Sequence, residues 1–224
     1  MRYLSSIAFV MLVLPIFAQE ADTIRSKYWP TGVRLGTDIF AIGRGFADVS
    51  LNGWEVNADV DLYRYYLAVD YGSWARALQS DTGNYSNNGN YWRAGVDVNF
   101  LLKDPDRNMF FIGARFGHST FSEQLDVVTI DPVWGTQQGT YTNTNVNARW
   151  LELTSGLRVK MWKMIWMGYT IRYKFGLSHD ATQAMEPHDV PGYGRTDKEA
   201  YWGFNYVVLV RIPFKNEKSV SLKK

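Results

Sequence analysis

Ionisable side chains recur at every second position in several stretches of this 224-residue chain. Glu55, Asp59 and Asp61 follow this spacing, as do Arg93 and Asp97. Side chains at alternate positions share one face of a β-strand, so each stretch presents a charged row. Facing rows of carboxylates and guanidinium groups suit a buried ion-pair network, a proton relay or a ligand site. We predict structural ion pairs, because acids and bases on these rows nearly balance. The predicted network comprises Arg34, Asp38, Glu55, Asp59, Asp70, Arg93, Asp97, Arg115, Glu152, Arg158, Arg172, Lys174 and Arg211.

The acidic and basic residues of this network lie in different parts of the chain. Most acids lie in the first half of the sequence and most bases in the second. Closing a sheet of such strands brings opposite signs across its interior, where charges must be paired to be tolerated. Glu152, Arg172 and Arg211 lie mid-strand in neighbouring segments, so we expect them to form the central contact.

One dipeptide has residues that could hydrolyse an acyl bond. His118 and Ser119 are adjacent, and Glu123 follows, which supplies the residue types of a nucleophile, a base and a carboxylate. Adjacent residues on a strand point to opposite faces, so His118 is poorly placed to take the proton of Ser119. We therefore predict no catalytic residue and no enzyme, with an outer-membrane lipid hydrolase at His118 and Ser119 as the alternative.

Metal, cofactor and nucleic-acid chemistry are disfavoured. His179 and His188 lie near several acids, but a solvated loop accounts for them better than a metal site. The chain has no cysteine, which excludes thiolate ligands and disulfides. Its net charge of +2 at pH 7 gives no basic tract for nucleic acid. We predict no metal, no cofactor and no nucleic-acid partner.

Eight stretches with period-two alternation position these residues, which predicts an all-β fold. They span residues 32–44, 54–63, 65–74, 92–101, 110–117, 150–161, 167–176 and 201–214. Short connections near residues 64, 103–108 and 162–163 alternate with long polar ones at 75–90, 122–146 and 178–200. In an up-and-down barrel this alternation places short turns at one rim and long loops at the other. We predict an eight-stranded antiparallel transmembrane barrel.

The polarity of the two faces separates this barrel from a soluble lipocalin-like one, which would place the apolar face inside. Mid-strand glycines on the polar face favour a crowded interior, because a water-facing strand gains nothing from them. Bulky aromatic residues near strand ends on the apolar face favour contact with two lipid-water boundaries. We therefore predict a polar, side-chain-filled lumen. The predicted aromatic girdle comprises Trp54, Trp92, Phe100, Phe110, Phe175, Trp202 and Phe214.

The N-terminal residues resemble an export signal. A basic Arg2 precedes the apolar run from Ile7 to Phe17, and the small residue Ala18 follows. This run is shorter than the roughly 20 residues needed to cross a bilayer, so we predict a signal peptide cleaved near Ala18. The predicted organisation is signal peptide 1–18, N-terminal periplasmic segment 19–30, barrel 31–214 and periplasmic tail 215–224.

The strand sequences "YLAVDYG", "FIGARFG", "GYTIRYKF" and "YWGFNYVVLVRIPF" resemble the small outer-membrane barrels of Gram-negative bacteria, and in particular an uncharacterised Bacteroidota family. The resemblance implies an outer-membrane location, contact with outer-membrane lipid, and a final strand whose terminal aromatic residue, here Phe214, serves insertion. We predict a scaffold or accessory subunit, and the resemblance implies assembly of the outer membrane as one role. The predicted partner is a larger membrane barrel or a surface lipoprotein. A soluble periplasmic lipocalin-like binding barrel is a further alternative.

Overall fold

The computed structural model describes residues 28–48, 50–131, 133, 135–180 and 185–214. The predicted signal peptide and the predicted tail 215–224 lie outside these residues, as does the predicted segment 19–30 up to residue 27. No helix among the described residues has both the length and the hydropathy to cross a membrane.

Eight strands form one closed antiparallel ring: β1 (Gly32–Asp38), β2 (Leu51–Leu62), β3 (Tyr65–Ser80), β4 (Gly83–Asn99), β5 (Met109–Asp131), β6 (Gly135–Trp162), β7 (Ile165–His179) and β10 (Ala200–Pro213). Their order around the ring is β1-β10-β7-β6-β5-β4-β3-β2. The short strands β8 (Asp189–Val190) and β9 (Gly194–Arg195) pair with each other. The predicted eight-stranded antiparallel barrel is confirmed.

Strand β1 is only seven residues long and closes the ring by pairing with β10 on one side and with β2 on the other. Its pairing with β10 runs from Gly32 opposite Pro213 to Asp38 opposite Val207. Connections at residues 63–64, 100–108 and 163–164 lie at one end of the barrel, which we call the turn end. Residues 81–82, residue 133 and residues 185–199 lie at the other end, the loop end.

The first predicted strand is too long. It ends at Asp38 rather than Arg44, and helix α1 (Ile39–Ala47) follows. The Asp38 side chain accepts a hydrogen bond of 2.9 Å from the Phe40 backbone N–H, which caps the helix N-terminus. Ile39 and Ala41, which fall within the predicted strand 32–44, therefore lie in a helix. A short run of alternating apolar and polar residues predicts a strand, but it does not exclude a helix that begins at a capping residue.

Two predicted long loops are mostly strand. β3 and β4 pair up to Ser80 opposite Gly83, and β5 and β6 pair up to Asp131 opposite Gly135. Residues 75–90, and the described residues of 122–146, thus form hairpins that rise beyond the central barrel. These segments contain many Asn, Ser, Thr and Gly residues, which are typical of turns. Pairing between neighbouring strands nevertheless satisfies their backbone hydrogen bonds and makes them strands.

The barrel interior leaves no room for a side chain at its central glycines. A Cβ added to Gly113 would overlap the Asp97 carboxylate and come within 2.9 Å of the Thr154 Oγ1. We expect Gly113→Val to destabilise the barrel by about 1–3 kcal/mol through overpacking. Denaturant titration of the folded protein measures this effect.

The matched control for Gly113→Val is Gly139→Val in the β5-β6 hairpin. A Cβ at Gly139 would have Tyr141 as its nearest neighbour at 3.6 Å, an ordinary contact. Equal destabilisation by the two variants would show that interior crowding does not explain the glycine at residue 113.

Candidate functional site

Three arginines occupy the middle of the lumen, on three different strands. Arg93 lies on β4, Arg115 on β5 and Arg172 on β7, and each side chain is almost fully buried. All three alternate with outward apolar residues, so the strand pleat turns them inward. Buried guanidinium groups require carboxylate partners and hydrogen-bond acceptors, and the lumen supplies both.

Asp70 is the common partner of these arginines. Its Oδ2 lies 3.1 Å from Arg172 Nη2 and 3.4 Å from Arg93 Nε, and it also accepts a short hydrogen bond from Arg115 Nη1. Its Oδ1 accepts a hydrogen bond of 2.7 Å from Asn57 Nδ2. One carboxylate therefore links strands on opposite sides of the barrel.

Glu55 and Glu152 complete the centre of the network. Arg172 Nη1 lies 2.9 Å from Glu152 Oε2, which brings together two residues of the predicted central contact. The Trp150 indole N–H donates to Glu152 over 2.7 Å, and the Tyr91 hydroxyl donates to Glu55 over 2.7 Å. Arg93 also contacts Glu55 at short distance.

The predicted placement of Arg211 at this centre is wrong. Arg211 lies at the turn end, where its Nη2 is 3.4 Å from Asp61 Oδ2 and 2.8 Å from Thr31 Oγ1. It lies opposite Arg34 in the β1-β10 register, whereas Arg172 lies opposite Gly203, eight residues earlier on β10. Strand phase gives the face of a residue, but register determines its height along the barrel.

The other predicted network residues divide into a first group with charged partners and a second group with neutral partners. Asp97 joins the centre, with its Oδ2 2.7 Å from Arg115 Nη2, while Arg34 and Asp59 form a separate pair at 2.7 Å. The second group has neutral partners among the described residues: Asn205 donates to Asp38, Arg158 to the Tyr169 carbonyl and Thr170 hydroxyl, and Lys174 to the Gly192 and Tyr193 carbonyls.

Four neutral residues in this network were absent from the predicted site: Asn57, Tyr91, Trp150 and Asn205. All four share the inward phase of their strands with predicted charged residues. That phase was the available signal, because an uncharged donor on a charged row can bridge two carboxylates. Asn57 does so, contacting Glu55 and Asp70 at 2.9 Å and 2.7 Å.

Apolar side chains close the lumen at the turn end. Tyr66, Met109 and Phe111 form a buried cluster, and the guanidinium carbons of two arginines lie over its rings. Arg34 Cζ is 4.6 Å from the Tyr66 centroid, and Arg158 Cζ is 5.0 Å from that of Phe111. Two arginines outside the ionic centre of the lumen therefore pack on this cluster, which we call the apolar floor.

The segment from residue 185 to 199 fills the lumen at the loop end. Val190 and Tyr193 are fully buried in a cluster with inward residues of the surrounding strands: Tyr91, Phe121, Val146, Ala148 and Trp150. The prediction of a solvated loop at 178–200 is therefore wrong for this part. We call residues 185–199 the plug.

Polar contacts hold the plug in place. Arg76 Nη1 lies 3.1 Å from Asp189 Oδ2, and the Asn87 side chain donates to the Asp189 carbonyl. Burial raises the pKa of Tyr193 and of Tyr85 above the ordinary value. Both phenols therefore stay protonated at neutral pH and act as donors, Tyr85 to Glu123 over 2.8 Å.

Comparison with known proteins identifies a family. Residues 1–217 match the family described as domain of unknown function DUF6048. The chain belongs to the DUF6048 family. No curated protein matches this DUF6048 chain in sequence. Among solved structures, the crystal structure of Acinetobacter baumannii CarO is similar at 11% identity and a TM-score of 0.40, covering 84% of this chain and 99% of that one.

The geometry of the DUF6048 barrel separates the proposed hydrolase pair. His118 faces outward and stacks on Trp92, with ring centroids 5.7 Å apart, while Ser119 faces inward and donates to the Asn90 carbonyl over 3.2 Å. His179 and His188 have different neighbours: His179 Nε2 lies 3.4 Å from Glu186 Oε2, and His188 packs edge-on against Tyr85. Within the described ranges, no three metal-ligating side chains form a group.

The seven predicted girdle residues all lie on the outer face of the DUF6048 barrel at two heights. Phe100, Phe110 and Phe214 lie towards the turn end. Trp54, Trp92, Phe175 and Trp202 lie towards the loop end. Between these levels the outer face is formed by exposed apolar residues such as Val69, Ile112 and Leu153.

Proposed function

We propose that this DUF6048 protein is an integral outer-membrane β-barrel without catalytic activity that acts as a scaffold or accessory subunit. The observation that carries the proposal is an apolar band around the outer face, bounded by aromatic residues and enclosing a buried charged lumen. A water-soluble barrel would expose charges and bury the apolar row instead.

A change of polarity along the strands supports the same placement. On β5, outward residues are apolar from Phe110 to Phe116 and polar from His118 to Asp126. Lipid around the lower part of the barrel and water around the upper part account for this change without any break in the strand.

The filled lumen supports a structural role rather than transport. The apolar floor, the ionic centre and the plug occupy successive levels of the barrel. Eight strands enclose an interior that side chains just fill. The hairpins β3-β4 and β5-β6 extend from the loop end and offer a surface to a larger membrane barrel or a surface lipoprotein. Assembly of the outer membrane and membership of a Bacteroidota family stay predictions from the resemblance.

Conductance and membrane fractionation test this proposal. We expect the protein to sediment with outer membranes, to migrate differently on gels before and after heating, and to give no stable channel in planar bilayers. A variant lacking residues 185–199 is the control for the plug, and we expect it to stay closed because the ionic centre persists. Recovery in the soluble periplasmic fraction, or a large wild-type conductance, would reject the proposal.

A further inference from the structure

The barrel wall has an opening next to helix α1. Strand β1 ends at Asp38, but its neighbours continue towards the loop end. The β2 residues Leu51–Glu55 pair only with β3, and the β10 residues 200–206 pair only with β7. Two strand edges thus face each other without a strand between them, and unpaired edges require cover.

Helix α1 covers this opening only in part. Its Phe40 ring packs edge-on against Phe204 of β10 at 5.7 Å, and Ala41 is buried. A cavity of about 320 Å³ lies behind the helix. It contacts Trp54 and Glu55 of β2, and Trp202 and Gly203 of β10. Successive residues of a strand face opposite sides, so this cavity passes between the two edges and joins the lumen to the outer face.

The cavity has an excess of basic side chains. Five basic residues line it, against three acidic ones. The bases are Arg44, Arg76, Arg93, Lys174 and Arg195, and the acids are Asp38, Glu55 and Asp189. Lys174 donates to two carbonyls, so no carboxylate neutralises it directly. The charge of the lining favours an anion.

Arg44 of α1 is the residue best placed to bind that anion. Its guanidinium lies over the rings of Trp74 and Phe40, with Cζ 5.0 Å and 5.2 Å from their centroids. It has no ion-pair partner in the described part of the chain. Its Nε is enclosed without an acceptor, as are the Trp74 indole nitrogen and Arg76 Nε. Enclosed donors are nearly always hydrogen-bonded in folded proteins, so three of them on side chains that line one cavity indicate a ligand with acceptor oxygens.

The rim of the opening is apolar. Phe40, Trp54, Trp202 and Phe204 are all exposed on the outer face around it, at the height of the loop-end aromatic residues. We propose that the cavity binds an anionic amphiphile with a single acyl chain. The carboxylate or phosphate head contacts Arg44, Arg76 and the Trp74 N–H, and the chain leaves between Trp54 and Trp202. A volume of about 320 Å³ is at the lower end of ligand pockets, which suits one head group rather than a two-chain lipid.

Native mass spectrometry of the refolded full chain in a non-ionic detergent tests this proposal. The probes are dodecanoate, dodecyl phosphate, dodecanol and inorganic phosphate. We expect a one-to-one adduct with each anionic amphiphile, and binding at least about tenfold weaker with dodecanol and with inorganic phosphate. The assay needs no membrane, so its result is independent of the proposed outer-membrane role. The amphiphile can fail to bind to an outer-membrane protein, and it can bind to a protein that is found elsewhere.

Arg44→Gln is the diagnostic variant, and Arg64→Gln is its matched control. Arg64 is an exposed arginine at the turn end, far from the cavity. We expect Arg44→Gln to weaken dodecanoate binding about tenfold and Arg64→Gln to leave it unchanged, with heat-dependent gel migration showing that both variants fold. If dodecanol binds as tightly as dodecanoate, the site does not require an anionic head group. If inorganic phosphate binds as tightly as dodecyl phosphate, the site does not require an acyl chain. No adduct, or unchanged binding by folded Arg44→Gln, would overturn the site itself.

Discussion

Arg172→Ala is expected to lower the free energy of unfolding by about 3–5 kcal/mol. The substitution removes contacts of 2.9 Å to Glu152 and 3.1 Å to Asp70, together with a hydrogen bond of 2.6 Å to Asn205. The arginine and both acids are almost fully buried, so the carboxylates lose a partner without gaining water. Removing one partner of a buried ion pair costs more than the pair contributed, because the remaining acids keep only part of their charge compensation.

Heat-dependent migration on a gel and denaturant titration measure this loss. Arg64→Ala is the control, since it removes an exposed arginine at the turn end and should change the unfolding free energy by less than about 0.5 kcal/mol. Adding Glu152→Gln to Arg172→Ala should recover part of the loss, because the amide carries no charge in need of a partner. Unchanged unfolding of Arg172→Ala would mean that the charged lumen does not hold the barrel together.

The face of each central residue could be predicted from sequence, because period-two alternation directly encodes it. Arg93, Arg115 and Arg172 all occupy the lumen on this basis. Height along the barrel could not be predicted in the same way. Arg172 and Arg211 share an inward phase, yet inter-strand register separates them, and register depends on pairing with distant strands.

The opening beside α1 could not be predicted, because it depends on a helix cap that lies within a stretch of strand-like alternation. Ile39 and Ala41 continue the apolar row of β1, and only the cap formed by Asp38 redirects the chain into a helix. The plug was missed for a related reason. Its composition is polar, and the burial of Val190 and Tyr193 requires apolar rings on strands that the sequence places far away. Pairing of the β5-β6 hairpin brings those rings together.

A second large effect is expected on the outer face. Ile112→Arg should destabilise the barrel in phospholipid vesicles by about 2–4 kcal/mol. Ile112 is an exposed residue of β5 between Phe110 and Phe116, within the apolar band. Lipid cannot solvate a guanidinium at this depth, although an aqueous surface would accept it without cost. Denaturant titration in vesicles, followed by gel migration, measures the change.

Thr120→Arg is the matched control for Ile112→Arg. Thr120 lies on the same strand and the same face, eight residues or about 26 Å further along, where outward residues are polar. We expect this variant to lie within about 0.5 kcal/mol of the wild type, because water surrounds that level of the barrel. A soluble barrel would tolerate both arginines equally, whereas a membrane reaching the hairpin tips would penalise both. Only a boundary between Ile112 and Thr120 gives a large effect at one position and none at the other, and the change from apolar to polar outward residues after Phe116 predicts that boundary.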